Sequence, residues 1–419
     1  MKDHPLLKAN YFNEDVLFSY LEQFSYPRLS GSEGDKRAIK EVAEVFQGLG
    51  FKKNDIKIED FTFSDFYSTI LIKLIMMLSL MDMLLIQIFI FYAPLFNLLV
   101  IAGSAIPIYF LLKGLNHPED TGFVAKYWGN MIETNNVFVK IPAKNASQKG
   151  IGNIVFSGHI DTKSQAYATA WRIVVYRVWL FSGFFTAFFL GLDLIINENW
   201  TKIAISITIA VIMANNIILM LLTTGNKSPG AIDNASGMSC AFEIARYFKD
   251  NPLENYNVWI CQFGAEELGT MGSRNFVNNY EDEFEKGKVF QFNFDMIGYK
   301  GVKYGVQMME SYGIPKRNIS VILTKCLKQA AKELDLEIEG FYLSTGAHLD
   351  SVPFHQRNWD AIDIVTREGA IVAHTTRDIP DNIDKAILRN ACLITVQAAI
   401  MLDSDYHTQN QLKPGDVIE

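Results

Sequence analysis

The sequence predicts an α/β protein that also carries two pairs of long apolar helices. Three short runs of apolar and β-branched residues are typical of buried strands, and a helical apolar pattern over 238–248 follows a glycine-rich turn. Two further blocks contain very few charged residues, and each is long enough for a pair of helices. A sheet with helices around it therefore accounts for most of the chain, and the apolar blocks are additions to it.

The three strand-like runs have one feature in common: each is followed within three residues by a residue of a type that can bind metals. The runs are 154–157, 258–263 and 289–294. The residues that follow them are His159, the pair Glu266 and Glu267, and Asp295. Open α/β sheets place their sites at the carboxyl ends of the strands, so we expect these side chains to lie close together.

Two more candidate ligands come from loops. Asp233 lies in the glycine-rich turn before Ser236, which is a candidate helix cap, and His374 begins the stretch His-Thr-Thr-Arg-Asp that ends at Asp378. Taken singly, each candidate also suits a structural role, such as an Asx turn at Asp233. Two histidines and three carboxylates, with a spare glutamate, together suit a pair of zinc-like ions. The five residues therefore predict a metallohydrolase.

The order of these phrases resembles that of the co-catalytic zinc aminopeptidases. This family includes aminopeptidase Y, aminopeptidase S, glutamate carboxypeptidase II and the glutaminyl cyclases. The shared phrases are H-x-D, D-N-x-S-G, E-E, D-M-x-G and H-T-x-x-D, which here begin at His159, Asp233, Glu266, Asp295 and His374. The resemblance covers roughly residues 10–66 and 130–400 without the apolar blocks. It implies a three-layer α/β/α sandwich with a mixed sheet.

The resemblance also implies a role for each site residue. Asp233 would bridge two divalent metal ions, with zinc as the expected metal. The other ligands would complete the two shells, Glu267 and His374 for one ion and His159 and Asp295 for the other. Glu266 would be the general base, and Asp161 would orient the imidazole of His159.

A loop further along the chain resembles the family's substrate loop, which is usually written S-D-H-x-P-F. Here the stretch Gly-Ala-His-Leu-Asp-Ser-Val-Pro-Phe places His348 in a different register from the histidine of that pattern. His348 and Asp350 are therefore candidates for the substrate pocket, on the resemblance alone.

Charge and cysteine content exclude some classes of function. The net charge is −8 and there is no concentrated run of Lys or Arg, so nothing favours a nucleic-acid partner. The four cysteines show no C-x-x-C spacing and are expected to be buried, reduced thiols. The amino-terminal residues lack the apolar core of a signal peptide.

The apolar blocks predict four membrane-spanning helices. The mean hydropathy of +0.10 is high for a soluble enzyme, and the excess is concentrated in these blocks. A membrane-spanning helix needs about 20 mostly apolar residues. The expected spans are 68–91, 95–113, 173–196 and 202–222. Apolar residues surround each helix instead of covering one face, which favours a lipid environment over the alternative of buried core helices.

Each block is expected to form a hairpin that returns the chain to the same side of the membrane. The second block lies between His159 and Asp233, and only a hairpin lets these two ligands meet. The predicted segments are the catalytic pieces 1–66, 114–171 and 224–419 and the transmembrane hairpins 67–113 and 172–223.

The residues and the resemblance together predict a membrane-anchored zinc metallopeptidase that hydrolyses peptide bonds with a water activated by two metals. Among metallopeptidases, an aminopeptidase is the leading hypothesis. A glutaminyl cyclase or transamidase-like acyl-transfer enzyme is a second hypothesis, and a non-catalytic receptor or scaffold is a third. The expected partners are a peptide substrate and the lipid bilayer, and the sequence does not specify an oligomeric state.

A bias of Lys and Arg towards one end of the helical hairpins favours the cytoplasmic side for the catalytic domain. The expected reduced state of the cysteines agrees with this side of the membrane. Against it, the chain also resembles endoplasmic reticulum metallopeptidases, in which a similar catalytic domain lies in the lumen.

Overall fold

The structure is a computed structural model that describes residues 5–8, 11–120, 123–145, 150–284, 288–303, 305–344 and 349–406. The chain divides into two compact units. The sheet unit comprises Met1–Phe61, Glu133–Lys163 and Asn226–Glu419, and the helical unit comprises Thr62–Ile132 and Ser164–Gly225. This division assigns residues 62–66, 114–132, 164–171 and 224–225 to the helical unit, whereas the sequence-based segments assign them to the catalytic domain.

The elements alternate between helices and strands along much of the chain. The helices are α1 (Pro5–Lys8), α2 (Glu14–Gln23), α3 (Glu33–Gly48), α4 (Leu71–Tyr92), α5 (Phe96–Gly114), α6 (Phe123–Trp128), α7 (Thr169–Ile196), α8 (Asn199–Met220), α9 (Ser236–Asp250), α10 (Met271–Phe284), α11 (Val321–Leu334), α12 (Val352–Gln356) and α13 (Lys385–Ser404). The strands are β1 (Ile56–Ser64), β2 (Met131–Ile141), β3 (Gly152–His159), β4 (Tyr256–Phe263), β5 (Val289–Asp295), β6 (Val306–Tyr312), β7 (Arg317–Asn318), β8 (Ile338–Leu343) and β9 (Asp360–Val365).

The strands form one mixed sheet, as the sequence predicts. Within the described residues their order is β1-β2-β4-β3-β5-β9-β6-β7, and β8 pairs with β6. The central strands β4, β3, β5 and β9 are parallel to one another. At the two sides of this group, β2 pairs antiparallel with β4 and β6 pairs antiparallel with β9. Every residue of β3 and β5 is buried, which explains their continuous apolar runs, because central parallel strands are covered on both faces.

Helices cover the two faces of the sheet. Alternate residues of β3 enter two different core clusters, since Ile154 and Phe156 pack with residues of α9 and α13 while Val155 packs with residues of α10 and α12. Three layers of helix, sheet and helix follow from this alternation, in agreement with the predicted sandwich. The parallel neighbours also place the carboxyl ends of β3, β4 and β5 at one edge.

The helical unit contains the short helix α6 and the long helices α4, α5, α7 and α8, which form at the positions predicted from the apolar blocks. Polar side chains join three of these helices across their apolar surfaces. Trp179 Nε1 donates to Asn216 Oδ1 at 2.8 Å, and Asn216 Nδ2 donates to Ser79 Oγ at 3.0 Å. Gln87 and Ser206 form a further bond between α4 and α8 at 2.9 Å. Such contacts are typical of helices whose surroundings offer no other hydrogen-bond partner.

Five helices in the described part of the chain are long and apolar enough to cross a membrane, by length and composition only. They are the four long helices of the helical unit, α4, α5, α7 and α8, and α13 of the sheet unit. In α13, however, 72% of its 18-residue apolar stretch is buried, whereas in the other four helices only 6–33% of the corresponding stretch is buried. The apolar surface of α13 is therefore covered by the core of the sheet unit, whereas that of the other four remains open.

Candidate metal centre

His159 is the last residue of β3, and the buried strand places its imidazole at the carboxyl edge of the sheet. Its Nε2 lies 3.2 Å from Asp233 Oδ1 and 3.8 Å from Asp295 Oδ1. The same nitrogen is buried and has no hydrogen-bond partner among the described residues. A buried imidazole nitrogen that faces two carboxylates in this way has the surroundings of a metal ligand.

Asp233 lies between two histidines. It sits in the turn Ala231–Ala235 before α9, and its peptide bond to Asn234 is cis. Its Oδ1 faces His159, whereas its Oδ2 lies 3.1 Å from His374 Nε2. Burial acts to raise the pKa of this carboxyl, but the two imidazoles hold the pKa well below its usual range. Each oxygen of Asp233 therefore belongs to a different cluster of ligand atoms.

Glu267 and His374 form the second cluster with Asp233. Glu267 Oε2 lies 3.0 Å from His374 Nε2, and His374 is reached from β9 through the short helix Arg367–Ile371. Burial and the charge of Asp233 act to raise the pKa of Glu267, but His374 and Lys163 lower it to about 2.

The structure thus brings all five predicted ligands together in two groups that share Asp233. One group is His159, Asp233 and Asp295, and the other is Asp233, Glu267 and His374. In each group the ligand atoms lie within 4.8 Å of one another. Imidazole nitrogens and carboxylate oxygens at such separations fit divalent cations of the zinc type.

Glu266 is beside both groups and belongs to neither. Its Oε2 lies 3.9 Å from His159 Nε2, and its side chain is buried. Burial raises the pKa of its carboxyl well above the usual range, although the charge of His159 acts in the opposite direction. Two cations bound nearby would favour its ionised form.

Asp161 holds the turn that carries the two glutamates. Its Oδ1 accepts a hydrogen bond from the backbone N–H of Glu266 at 3.0 Å, and its Oδ2 accepts from the backbone N–H of Glu267 at 3.3 Å. Ser30 Oγ donates to the same Oδ2 at 2.8 Å. The imidazole Nδ1 of His159 lies 3.0 Å from the carbonyl oxygen of Asp161 and 3.6 Å from its Oδ1. In this geometry the main-chain carbonyl is the nearer partner of the imidazole, and the carboxylate orients the turn.

Arg28 is a part of the site that the sequence analysis did not single out. The side chain is fully buried, and its Nε donates to the carbonyl of Ile160 at 2.5 Å. It also donates to the carbonyls of Pro229 and Gly230, at 2.9 and 3.0 Å. Burial lowers the pKa of Arg28 to about 10, which still leaves it charged at neutral pH. Arg28 therefore ties the end of β3 to the turn that carries Asp233.

Asp378 supports the same turn from the other side. Its Oδ1 accepts from the backbone N–H of Ile232 at 2.6 Å and its Oδ2 from that of Asp233 at 3.2 Å. Burial raises the pKa of Asp378 to about 7, and the charge of Asp233 adds to this effect. Asp378 ends the phrase H-T-x-x-D, which carries the family resemblance and was the available signal for its importance.

Of the two candidates for the substrate pocket, His348 lies outside the described residues. Asp350 is fully buried, and burial raises the pKa of its carboxyl to about 7. Its neighbours Leu349 and Ser351 line a cavity of about 740 Å³ beside β6, β7 and α12. The residues on either side of Asp350 in the sequence line this cavity, and the carboxyl of Asp350 interacts electrostatically with His159 and Asp295. Asp350 therefore stays a candidate for the substrate pocket.

Comparison with known proteins gives a family match that includes four of the five candidate ligands, all except His159, and the strands β4 to β9. The profile of peptidase family M28 matches residues 212–399. The aminopeptidase YwaD of Bacillus subtilis is 31% identical over 169 residues, which are 39% of this chain and 36% of that protein. A probable lipoprotein aminopeptidase, LpqL of Mycobacterium tuberculosis, is 37% identical over 71 residues, 17% of this chain and 14% of that protein. The matched segments thus span about a third of these curated relatives, or less.

Solved structures resemble the chain over nearly its whole length. An aminopeptidase from Aneurinibacillus sp. strain AM-1 aligns with a TM-score of 0.54 at 15% identity, covering 92% of this chain and 93% of that one. A glutaminyl cyclase from an Acidobacteriales bacterium aligns with a TM-score of 0.52 at 16% identity, covering 94% and 95%. At these identities the likeness concerns the fold, and it agrees with the mixed sheet described above.

Proposed function

We propose that the chain, whose residues 212–399 match the profile of peptidase family M28, is a membrane-anchored, two-metal aminopeptidase of that family. The observation that carries the proposal is the pair of ligand clusters joined by Asp233, with Glu266 beside them. A receptor or scaffold built on this fold would not need a complete set of buried ligands with a free carboxylate next to it.

The residues of the two clusters would hold one divalent ion each. What a pair of zinc ions supplies in such a site is a lowered pKa of water and a polarised carbonyl group. Glu266 would accept the proton of the attacking water at its carboxylate and deliver it to the leaving amine. Asp161 would keep the turn of Glu266 and Glu267 in place through their backbone N–H groups.

Cleavage of matched peptides tests this function. The full-length protein in detergent, loaded with zinc, should release the amino-terminal residue from free peptides and leave the same peptides intact when their amino group is acetylated. A glutaminyl cyclase would instead cause a loss of ammonia or water from a peptide with an amino-terminal Gln or Glu, without chain cleavage. Cleavage of internal bonds in free and acetylated peptides alike would contradict an aminopeptidase.

The four open helices of the helical unit support membrane anchoring. Only 6–33% of the 18-residue apolar stretch of each helix is buried, so most of this apolar surface is not packed against other described residues. Exposed apolar surface on this scale is typical of contact with lipid. We therefore keep the interpretation of two transmembrane hairpins, α4–α5 and α7–α8.

We further propose that the sheet unit faces the cytoplasm. Lys73, Lys113, Arg172 and Arg177 lie at the ends of the hairpins that connect to the sheet unit in the chain, whereas Lys202 lies at the opposite end of its hairpin, in the first turn of α8. Positive charge near helix ends favours the cytoplasmic side. The four cysteines are free thiols, which agrees with a reducing compartment.

Cysteine labelling in intact cells checks the orientation. Cys240, Cys261 and Cys392 are buried, so only Cys326 has to be removed before a single cysteine is placed at Lys144. A reagent that cannot cross the membrane should label this variant only after the cells are opened. A matched variant with the cysteine at the exposed Glu198, in the turn between α7 and α8, should be labelled before opening. The reverse pattern would place the sheet unit outside the cytoplasm.

A further inference from the structure

Lys163 makes an unusual set of contacts with one of the candidate metal ligands. Its Nζ lies 2.8 Å from Glu267 Oε2 and donates to the carbonyl oxygen of Glu267 at 2.9 Å. Its backbone N–H donates to Glu267 Oε1 at 3.1 Å. The side chain of Lys163 is only 12% exposed, so water does little to screen these contacts. Both carboxylate oxygens of Glu267 are therefore engaged by one lysine.

The same carboxylate oxygen also faces the metal cluster. Glu267 Oε2 is 3.0 Å from His374 Nε2 and 2.8 Å from Lys163 Nζ, so a ligand atom of the Asp233–Glu267–His374 cluster already has a cation next to it. The other cluster differs. Among the described residues, no Lys or Arg lies within ion-pair distance of His159 or Asp295, whose contacts are with other members of the site.

An ammonium group in this place has two opposite effects. It offsets the repulsion between Glu267 and Asp233 when no ion is bound, so it stabilises the ion-free site. It also repels a divalent cation that binds through the same oxygen, and this repulsion is strong in a buried site of low dielectric. A group that favours the ion-free form over the loaded form lowers the affinity for the ion, as linkage requires.

We propose that Lys163 weakens the metal position formed by Asp233, Glu267 and His374, so that the two positions fill in order and the His159–Asp233–Asp295 position fills first. The inference rests on the proposed function, because it takes both clusters to be metal positions. Lys163 acts as a positioning residue: it holds Glu267 in place before the ion arrives and sets the affinity of one position.

Zinc titration of the full-length, chelator-stripped protein in detergent tests this at a fixed pH and ionic strength. Calorimetry of the native protein should show a tight and a weak class of site, and His374→Ala should remove the weak class. Lys163→Met keeps the apolar stem and removes the charge, so it should tighten the weak class by about 10- to 100-fold, the size of effect typical of groups that contact metal ligands. Lys163→Arg keeps a cation and should stay close to the native protein.

Thermal unfolding supplies the second readout. The ion-free Lys163→Met variant should melt at a lower temperature than the ion-free native protein, while its zinc-bound form gains more stability from the same free zinc concentration. A lysine with a merely structural role would lower the stability of both forms and would not tighten zinc binding. Lys144→Met is the matched control, since Lys144 pairs with Glu254 at the surface, and it should change neither measurement.

Two results would overturn the inference in distinguishable ways. If native protein binds two zinc ions with equal affinity and Lys163→Met binds them no more tightly, the role of Lys163 is wrong and the two-metal proposal stands. If the native protein and both Lys163 variants bind no zinc, the two-metal proposal itself is wrong, together with this inference.

Discussion

The Glu266→Gln variant is expected to lose about 10²- to 10⁴-fold in kcat while both metal positions still fill, since this is the usual contribution of a general base. Glutamine preserves the volume of the side chain but cannot accept the proton of the attacking water. The backbone N–H of residue 266 would still donate to Asp161, so the turn should keep its shape. Steady-state kinetics on a free peptide and metal analysis of the same preparation provide the two measurements.

The matched control for Glu266 is Glu254→Gln, which makes the same chemical change at a half-exposed ion pair with Lys144. It should leave kcat unchanged. A Glu266→Gln variant with near-native kcat would show that another group moves the proton. A variant that lost its metals as well would show that Glu266 is a ligand instead of a base.

Replacement of Asp233 by Ala is expected to empty both metal positions. Its two oxygens face different histidines, Oδ1 towards His159 and Oδ2 towards His374, so removal of one side chain removes a ligand from each cluster. Loss of a direct ligand should weaken zinc binding by more than about 100-fold, the upper range for loss of a group that only supports a ligand. Elemental analysis after dialysis against buffered zinc measures the occupancy.

Single-histidine variants give the comparison for Asp233. His159→Ala and His374→Ala should each reduce the occupancy of mainly one position, because each imidazole belongs to one cluster. If Asp233→Ala retained one full equivalent of zinc, Asp233 would serve a single ion and the shared-ligand arrangement would be wrong.

The role of Asp161 illustrates how far the sequence reasoning reached. The resemblance implied a carboxylate that orients His159, and the structure places Asp161 next to that imidazole. The carboxylate instead accepts hydrogen bonds from the backbone of Glu266 and Glu267, more than 100 positions further along the chain. A spacing of two residues indicated that Asp161 and His159 are neighbours, but it carried no information on which of the Asp161 oxygens would face the ring.

Arg28 and Lys163 show a second kind of limit. Neither residue differs in the sequence from a solvent-exposed cation on a loop. Arg28 becomes a buried link between two ligand-bearing segments only because residues near positions 28, 160 and 230 meet in the folded chain. Lys163 gains its contact with Glu267 in the same way, through the turn that follows β4.

The sequence alone determined the elements and the ligand types of this protein. Apolar periodicity is local, so the strands before His159 and Asp295 and the four long apolar helices could be predicted from neighbouring residues. The tertiary structure decided which distant side chains meet: that Asp233 faces two histidines, that Lys163 contacts Glu267, and that α13 is covered while the other apolar helices are open. These features depend on packing between segments far apart in the chain, where burial and distance set the strength of each charge interaction, and no local pattern encodes them.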